Sequence, residues 1–246
     1  MVLLPGATDS LWSYQPVLGR LPASIRAIAV SPRGHGDSDK PATGYRVEDF
    51  ATDVVLLLDA LDIERAVLAG HSSSCLVIRR VAIDAPDRVA GLVLEASPTT
   101  LCGHAGLERF VQTVVSRLVD PIDPALARAL VVDTSSDQLG TELIDTLVHE
   151  VMKVPTRVWR EMFDALLQYD DTAELPGISA PSLLIWGNAD RLATREMQKE
   201  LVRLLPGGRL LEYEDIGHTP RWENTARFAS DLAAFAVQSG AGGDGG

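Results

Sequence analysis

Ser72 stands in the run Gly70-His71-Ser72-Ser73-Ser74, directly after the apolar stretch 66–69 and directly before a segment of helical periodicity. A serine placed between a strand and a helix sits on a turn sharp enough to push its hydroxyl clear of the backbone, as a nucleophile requires. The residues two positions to either side must be small. Gly70 meets that need, while Ser74 brings a hydroxymethyl group expected to crowd helix against strand slightly. A helix-capping serine would suit the same position, but strand, glycine and helix together favour the nucleophile.

A serine hydroxyl attacks a carbonyl only when a neighbouring base takes its proton. Five histidines compete for that task, and His218 is the expected base. It lies in Asp215-Ile-Gly-His-Thr-Pro-Arg-Trp-Glu223, a loop between the last strand signal and the last helix signal. His71 adjoins the nucleophile but should point away from it and pack; His35 sits in a Gly-rich turn, and His104 and His149 fall in a helical stretch. The base needs a carboxylate to fix its tautomer. Asp190, in Trp186-Gly-Asn-Ala-Asp190, follows a strand at its carboxyl end, where open α/β sheets bind their ligands. Glu95 ends the preceding strand and is the alternative acid. Two amides must also face the oxyanion: the N–H of Ser73, after the nucleophile, and that of Ala7, in the loop 5–9 where Gly6 permits close approach.

These residues need a sheet to converge. Short apolar runs at 2–4, 26–30, 66–69, 89–94, 182–186 and 209–213 read as strands. Helical periodicity over 11–21 (imperfectly), 47–61, 73–85, 194–205 and 224–237 alternates with them, the pattern of βαβ units and a parallel sheet. From Pro98 the strand rhythm stops for nearly eighty residues. Helical patterns at 107–118, 124–132, 139–152 and 155–169 fill that insert, and 240–246 reads as a flexible tail.

Composition narrows the function classes. With 22 basic against 34 acidic residues the net charge is −12, so a polyanionic backbone would be repelled and nucleic acid is not an expected partner. No apolar run is long enough to span a bilayer, and no membrane association is expected. Cys75 and Cys102 form no close pair and join no Cys/His cluster, which signals neither a disulfide scaffold nor a metal site. No Gly-rich phosphate loop follows any strand, so no cofactor is expected; Arg33-Gly-His-Gly-Asp-Ser38 reads as a structural turn. The start, Met1-Val-Leu-Leu-Pro-Gly6, lacks a basic region and a long apolar stretch, and the expected compartment is the cytoplasm.

Taken together, Leu4-Pro-Gly-Ala-Thr-Asp9, Arg33-Gly-His-Gly-Asp-Ser38, Gly70-His-Ser-Ser-Ser74, Trp186-Gly-Asn-Ala-Asp190 and Gly217-His-Thr-Pro-Arg-Trp-Glu223 resemble the motifs of the α/β-hydrolase superfamily, in its capped group of small-molecule hydrolases. The resemblance covers nearly all of the chain. It implies an α/β-hydrolase fold, with a mostly parallel sheet and flanking helices in core segments 1–97 and 177–239 and a helical cap at about 98–176. It also implies nucleophile Ser72, acid Asp190, base His218 and oxyanion donors Ala7 and Ser73. The expected activity is cofactor-independent hydrolysis of a small-molecule carboxylic ester or lactone through an acyl-enzyme, as in a carboxylesterase or lactonase. A C–C bond hydrolase or perhydrolase would share the triad, and a slow-turnover ligand-binding or signalling relative would keep the fold. Serine at the elbow disfavours the epoxide hydrolases and dehalogenases, which use an aspartate. Phe110, Met152, Trp159 and Phe163 are candidates to line the cap, Trp159 and Phe163 for substrate binding in particular, and equally candidates for helix packing.

Three departures from the family pattern stand out. Pro5 occupies the place where many relatives have a histidine, Ser74 replaces the second glycine of the elbow, and the first two strands usual in relatives are absent. The last would leave the strand at 26–30 as an open edge, to be paired with a second chain in a dimer, covered by a loop, or explained by a chain that begins downstream of the native start. The expectation is the downstream start, which would also reopen the question of compartment.

Overall fold

The computed structural model describes residues 1–135 and 139–240. Six strands form one parallel sheet in the order β2-β1-β3-β4-β5-β6: β1 (Val2–Leu4), β2 (Ile28–Ala29), β3 (Ala66–His71), β4 (Val89–Glu95), β5 (Ser182–Gly187) and β6 (Gly208–Tyr213). β3, β4 and β5 are buried along their whole length, which explains their near-continuous apolar sequences. Alternate residues serve opposite faces. Val2, Leu4, Ala66 and Leu68 pack with helices α2 (Val47–Ala60) and α3 (Ser73–Asp84) and with Leu201 of α8 (Arg195–Leu204). Leu3, Val67 and Ala69 face the other way, onto Val17 of α1 (Gln15–Leu18) and Phe228 and Leu232 of α10 (Thr225–Gln238).

The edge strand is shorter than the predicted 26–30. Only Ile28 and Ala29 pair in register, and Val30 N–H donates to Leu3 O at 3.1 Å. The segment predicted as one helix over 11–21 is instead a 3-10 turn, Leu11–Tyr14, followed by the short α1. Pro16, near its start, has no N–H for the helical ladder.

Between β4 and β5 the chain is helical, in α4 (Ala105–Thr113), α5 (Pro124–Asp133), α6 (Thr141–Met152) and α7 (Thr156–Leu166). On α7 the residues Val158, Trp159, Met162, Phe163 and Leu166 are buried, a stripe at three- and four-residue steps. Both ends of the insert are tied to α3 through one buried side chain. Arg79 donates to Pro98 O (2.9 Å) and Thr99 O (3.0 Å) where the chain leaves the sheet, and pairs with Asp171 (2.5 and 3.0 Å) where it returns. α7 is fastened to the loop before α2, where Glu161 Oε1 accepts from Gly44 N (2.8 Å) and Tyr45 N (3.2 Å). The tail expected at 240–246 lies outside the described residues beyond Gly240.

Among the described residues no helix is long and apolar enough to cross a membrane.

Candidate active site

β1 leads to β2 on one side of the sheet, and β3 lies on its other side, so the carboxyl ends of β1 and β3 flank a crevice at the point where the strand order reverses. The loop after β1 and the turn after β3 both open there. At the turn the chain reaches φ 52°, ψ −118° at Ser72, a left-handed conformation that a non-glycine residue adopts at a cost of about 1–3 kcal/mol. Neighbouring backbone holds it there. Ser72 N–H donates to Glu95 O at 2.9 Å and Cys75 N–H to Ser72 O at 3.0 Å. Gly70 is required because a Cβ would lie 2.7 Å from Ser74 O and 2.9 Å from Cys75 N, both backbone atoms of α3.

His218 arrives on the loop after β6. Its Nε2 lies 3.0 Å from Ser72 Oγ, and its Nδ1 lies 2.8 Å from Asp190 Oδ2. The Asp190 side chain is completely buried, and its other oxygen accepts from Leu192 N (2.7 Å) and Ala193 N (3.1 Å). A carboxylate so placed demands a proton on Nδ1, which leaves the Nε2 lone pair to accept from the serine hydroxyl. Glu95, the alternative acid, has a different partner. Its Oε1 accepts from Arg221 N (2.9 Å) and Arg221 Nη1 (3.3 Å), and of the two carboxylates it is Asp190 that reaches the imidazole. Sequence leaves the two open because both end strands; the buried guanidinium beside Glu95 separates them.

The histidine loop is braced by residues whose roles were not legible beforehand. Glu223, in the short helix α9 (Pro220–Glu223), accepts from Gly217 N (3.0 Å), Thr219 N (3.3 Å) and Thr219 Oγ1 (3.1 Å). Thr219 followed by Pro220 and then Glu223 is a helix-start pattern, a local signal that could have marked this staple. Arg221, fully buried, donates to Asp9 (2.9 Å), Ser13 (2.9 Å) and Glu95, joining the loop after β1, the end of β4 and the histidine loop. Burial pushes the carboxyls of Asp9 and Glu95 above the usual carboxylate range, and the Arg221 charge offsets only part of that rise.

His71 does more than fill space. Its Nε2 lies 2.9 Å from His218 O, and the two rings meet edge-on at 4.9 Å. Burial, with the charges of Arg221 and His218 added, pushes His71 well below the usual histidine range, so it is neutral and donates from Nε2. On its other side it packs against Gly6, where a Cβ would lie 2.5 Å from His71 Nδ1.

Ala7 and Ser73 line one small cavity, about 30 Å³, whose walls include Ser74, Val77, Met162 and Leu166. Trp159 and Phe163, the residues expected to bind substrate, are buried on α7 but are not among the residues that line this cavity; Phe163 packs against Trp159 at 5.8 Å and against Phe110 at 5.5 Å. A larger groove of about 850 Å³ runs along α2 and the segment 30–41 at the sheet edge and touches none of Ser72, Asp190 and His218. Ser74 shows bonding where crowding was expected: its Oγ donates to Pro5 O at 2.5 Å. Among the described residues no group of three or more His, Cys, Asp or Glu side chains is placed to hold a metal ion.

A parallel sheet with helices on both faces, a serine on a strained strand-to-helix turn and an Asp-His pair from later strands define an α/β hydrolase. The chain belongs to the alpha/beta hydrolase family, whose family model matches residues 1–231. It is 28% identical over 254 residues to a 2-hydroxy-6-oxononadienedioate/2-hydroxy-6-oxononatrienedioate hydrolase of Paraburkholderia phymatum, covering 95% of this chain and 84% of the relative. It is 27% identical over 189 residues to 3-oxoadipate enol-lactonase 2 of Acinetobacter baylyi, covering 77% of this chain and 70% of the relative. An esterase from Exiguobacterium antarcticum has the same fold, with a TM-score of 0.86 at 19% identity over 96% of this chain and 92% of that one.

Proposed function

We infer that the protein is a cofactor-independent serine hydrolase that cleaves a carboxylic ester or lactone of a small molecule through an acyl-enzyme. The observation that carries this reading is the bridge made by His218, 3.0 Å from Ser72 Oγ on one side and 2.8 Å from Asp190 on the other. Ser72 Oγ attacks the substrate carbonyl carbon while His218 Nε2 takes its proton, and Asp190 stabilises the imidazolium that forms. The oxyanion is received by the amides of Ala7 and Ser73. Collapse of the tetrahedral species expels the alcohol, or opens the lactone, with the proton returned from His218. A water deprotonated by His218 then attacks the acyl carbon and frees Ser72.

The helical insert, 98–176, serves as a cap over the site in this reading. Its α7 supplies Met162 and Leu166 to the cavity beside Ala7 and Ser73, with Trp159 and Phe163 as the candidates to set substrate fit behind and beside them. The lactonase name of one relative and the esterase name of a structural neighbour support the ester or lactone class. A second reading, C–C bond hydrolysis with the same triad, is favoured by the name of the Paraburkholderia relative. A panel of p-nitrophenyl esters, lactones of matched size and a vinylogous 1,5-diketone, assayed with the parent chain and its Ser72→Ala variant, separates them. Turnover of esters or lactones that vanishes with Ser72 supports the first reading; Ser72-dependent turnover of the diketone alone supports the second. Absence of all turnover, with slow fluorophosphonate labelling, would mark a ligand-binding relative.

A further inference from the structure

We propose that Ser74 is a positioning residue for the oxyanion site: its hydroxyl anchors the Pro5 carbonyl and so holds the Ala7 amide in the direction that receives the oxyanion. This rests on the serine-hydrolase reading above. Ser74 lies in the first turn of α3, two residues after the nucleophile, and is buried. Its Oγ donates to Pro5 O at 2.5 Å across 69 residues of sequence.

The loop after β1 needs such an anchor because of its composition. Pro5 has no N–H, so its backbone can be tied down only through its carbonyl. Gly6 follows, a residue of wide conformational freedom that is required here because any Cβ would strike the His71 ring. The chain thus has a soft joint one residue before the amide that matters. It is clamped on both sides: Ser74 holds Pro5 O before the joint, and Asp9 N–H donates to Gly6 O at 3.2 Å after it. Gly6 C=O and Ala7 N–H belong to one trans peptide unit and point in opposite directions. With Gly6 O drawn toward Asp9, the Ala7 N–H is turned away from it, and Ala7, Ser73 and Ser74 border the same small cavity.

Pro5 and Ser74 are the two places where the motifs of this chain depart from the family pattern, and they are bonded to each other. A glycine at 74 would leave the Pro5 carbonyl without this donor. The hydroxyl therefore acts on catalysis through the loop, without touching the substrate, and nucleophile and base keep their own supports.

The test compares Ser74→Ala, Ser74→Gly and Ser74→Cys with the parent chain on p-nitrophenyl acetate, together with the Ki of trifluoroacetophenone, which forms a tetrahedral oxyanion adduct on an active serine. Loss of the anchor should lower kcat by about 10- to 100-fold with KM within about twofold, because a misaimed amide is felt mainly in the transition state. The Ki should rise by the same factor as kcat falls, and the Cys variant, with its weaker donor, should lie in between. A Ser74→Ala variant with the parent kcat and Ki overturns the inference, as does a fall in kcat with no change in Ki. Should the alanine variant not fold, the Cys variant decides, and a parent-like kcat and Ki there overturn it. Ser72→Ala is run alongside. Activity surviving without Ser72 defeats the hydrolase reading itself, whereas an inert Ser72→Ala beside an unaffected Ser74→Ala defeats only the anchor.

Discussion

Exchanging Asp190 for asparagine changes one atom and should reverse the polarity of the whole triad. Oδ1 of Asp190 already accepts two backbone amides, from Leu192 at 2.7 Å and Ala193 at 3.1 Å, so an asparagine would keep its oxygen there. Its NH2 would then face His218 Nδ1, at a position where the parent has an acceptor 2.8 Å away. Two donors cannot share that gap, and the imidazole must move its proton to Nε2. It would then donate to Ser72 instead of accepting from it. The expected loss in kcat is about 10³- to 10⁴-fold, or roughly 4–5.5 kcal/mol of barrier, with the fold retained. Glu95→Gln is the control, because it keeps an acceptor oxygen for Arg221 while removing the negative charge and putting an amide NH2 in place of Oε2. Its kcat should stay within about tenfold of the parent, while stability falls by about 1–3 kcal/mol from weakened pairing with the buried guanidinium. Initial rates of p-nitrophenyl acetate hydrolysis, normalised to folded protein by circular dichroism, measure both. An Asp190→Asn variant within tenfold of the parent, or a Glu95→Gln variant that loses more activity than it, would refute the assignment of the acid.

Other consequences follow from the packing. Burial pushes His35 down from 6.5 to about 4, so as the pH falls from 6.5 toward 4 the unfolded chain takes up a proton that the folded chain refuses. Stability should decline over that window by about 3 kcal/mol from this residue, and His71 acts in the same direction. Urea midpoints measured across pH 4 to about 7 should fall less steeply for His35→Gln; an unchanged slope would exclude His35 as the source. Gly187→Ala should displace the histidine loop, since its Cβ would lie 2.2 Å from Ile216 O and 2.4 Å from Gly217 O. The expected result is a loss of stability of about 1–3 kcal/mol and of more than about 100-fold in kcat, and a parent-like rate would show that the loop is not held as described.

The strands that carry the site were legible because β3, β4 and β5 are buried on both faces and hence apolar throughout. Helices with one apolar face, such as α2 and α10, announced themselves by their period. The elements read less well are those whose form depends on neighbours. β2 keeps only two paired residues at the sheet edge, and the predicted helix over 107–118 breaks at Val114, between α4 and a 3-10 turn. Ser72 and His218 were legible as candidates because a local pattern encodes a sharp turn and a loop after a strand. Which of Asp190 and Glu95 meets His218 was not, because Glu95 is taken up by Arg221, 126 residues away in sequence, and no local pattern records that contact. Ser74 is a similar case: as a local feature it signalled crowding, and only its distance to Pro5 O shows a bond.

The claim on which the rest depends is that catalysis passes through an acyl group on Ser72. Rapid acid quench of the enzyme turning over p-nitrophenyl acetate, followed by mass spectrometry of the peptide that contains residues 70–74, tests it directly. An acetyl group should be found on Ser72 during turnover and should disappear when substrate is exhausted, and Ser72→Ala should show neither acetyl group nor turnover. Steady hydrolysis with Ser72 unmodified, or retained by the alanine variant, would contradict it.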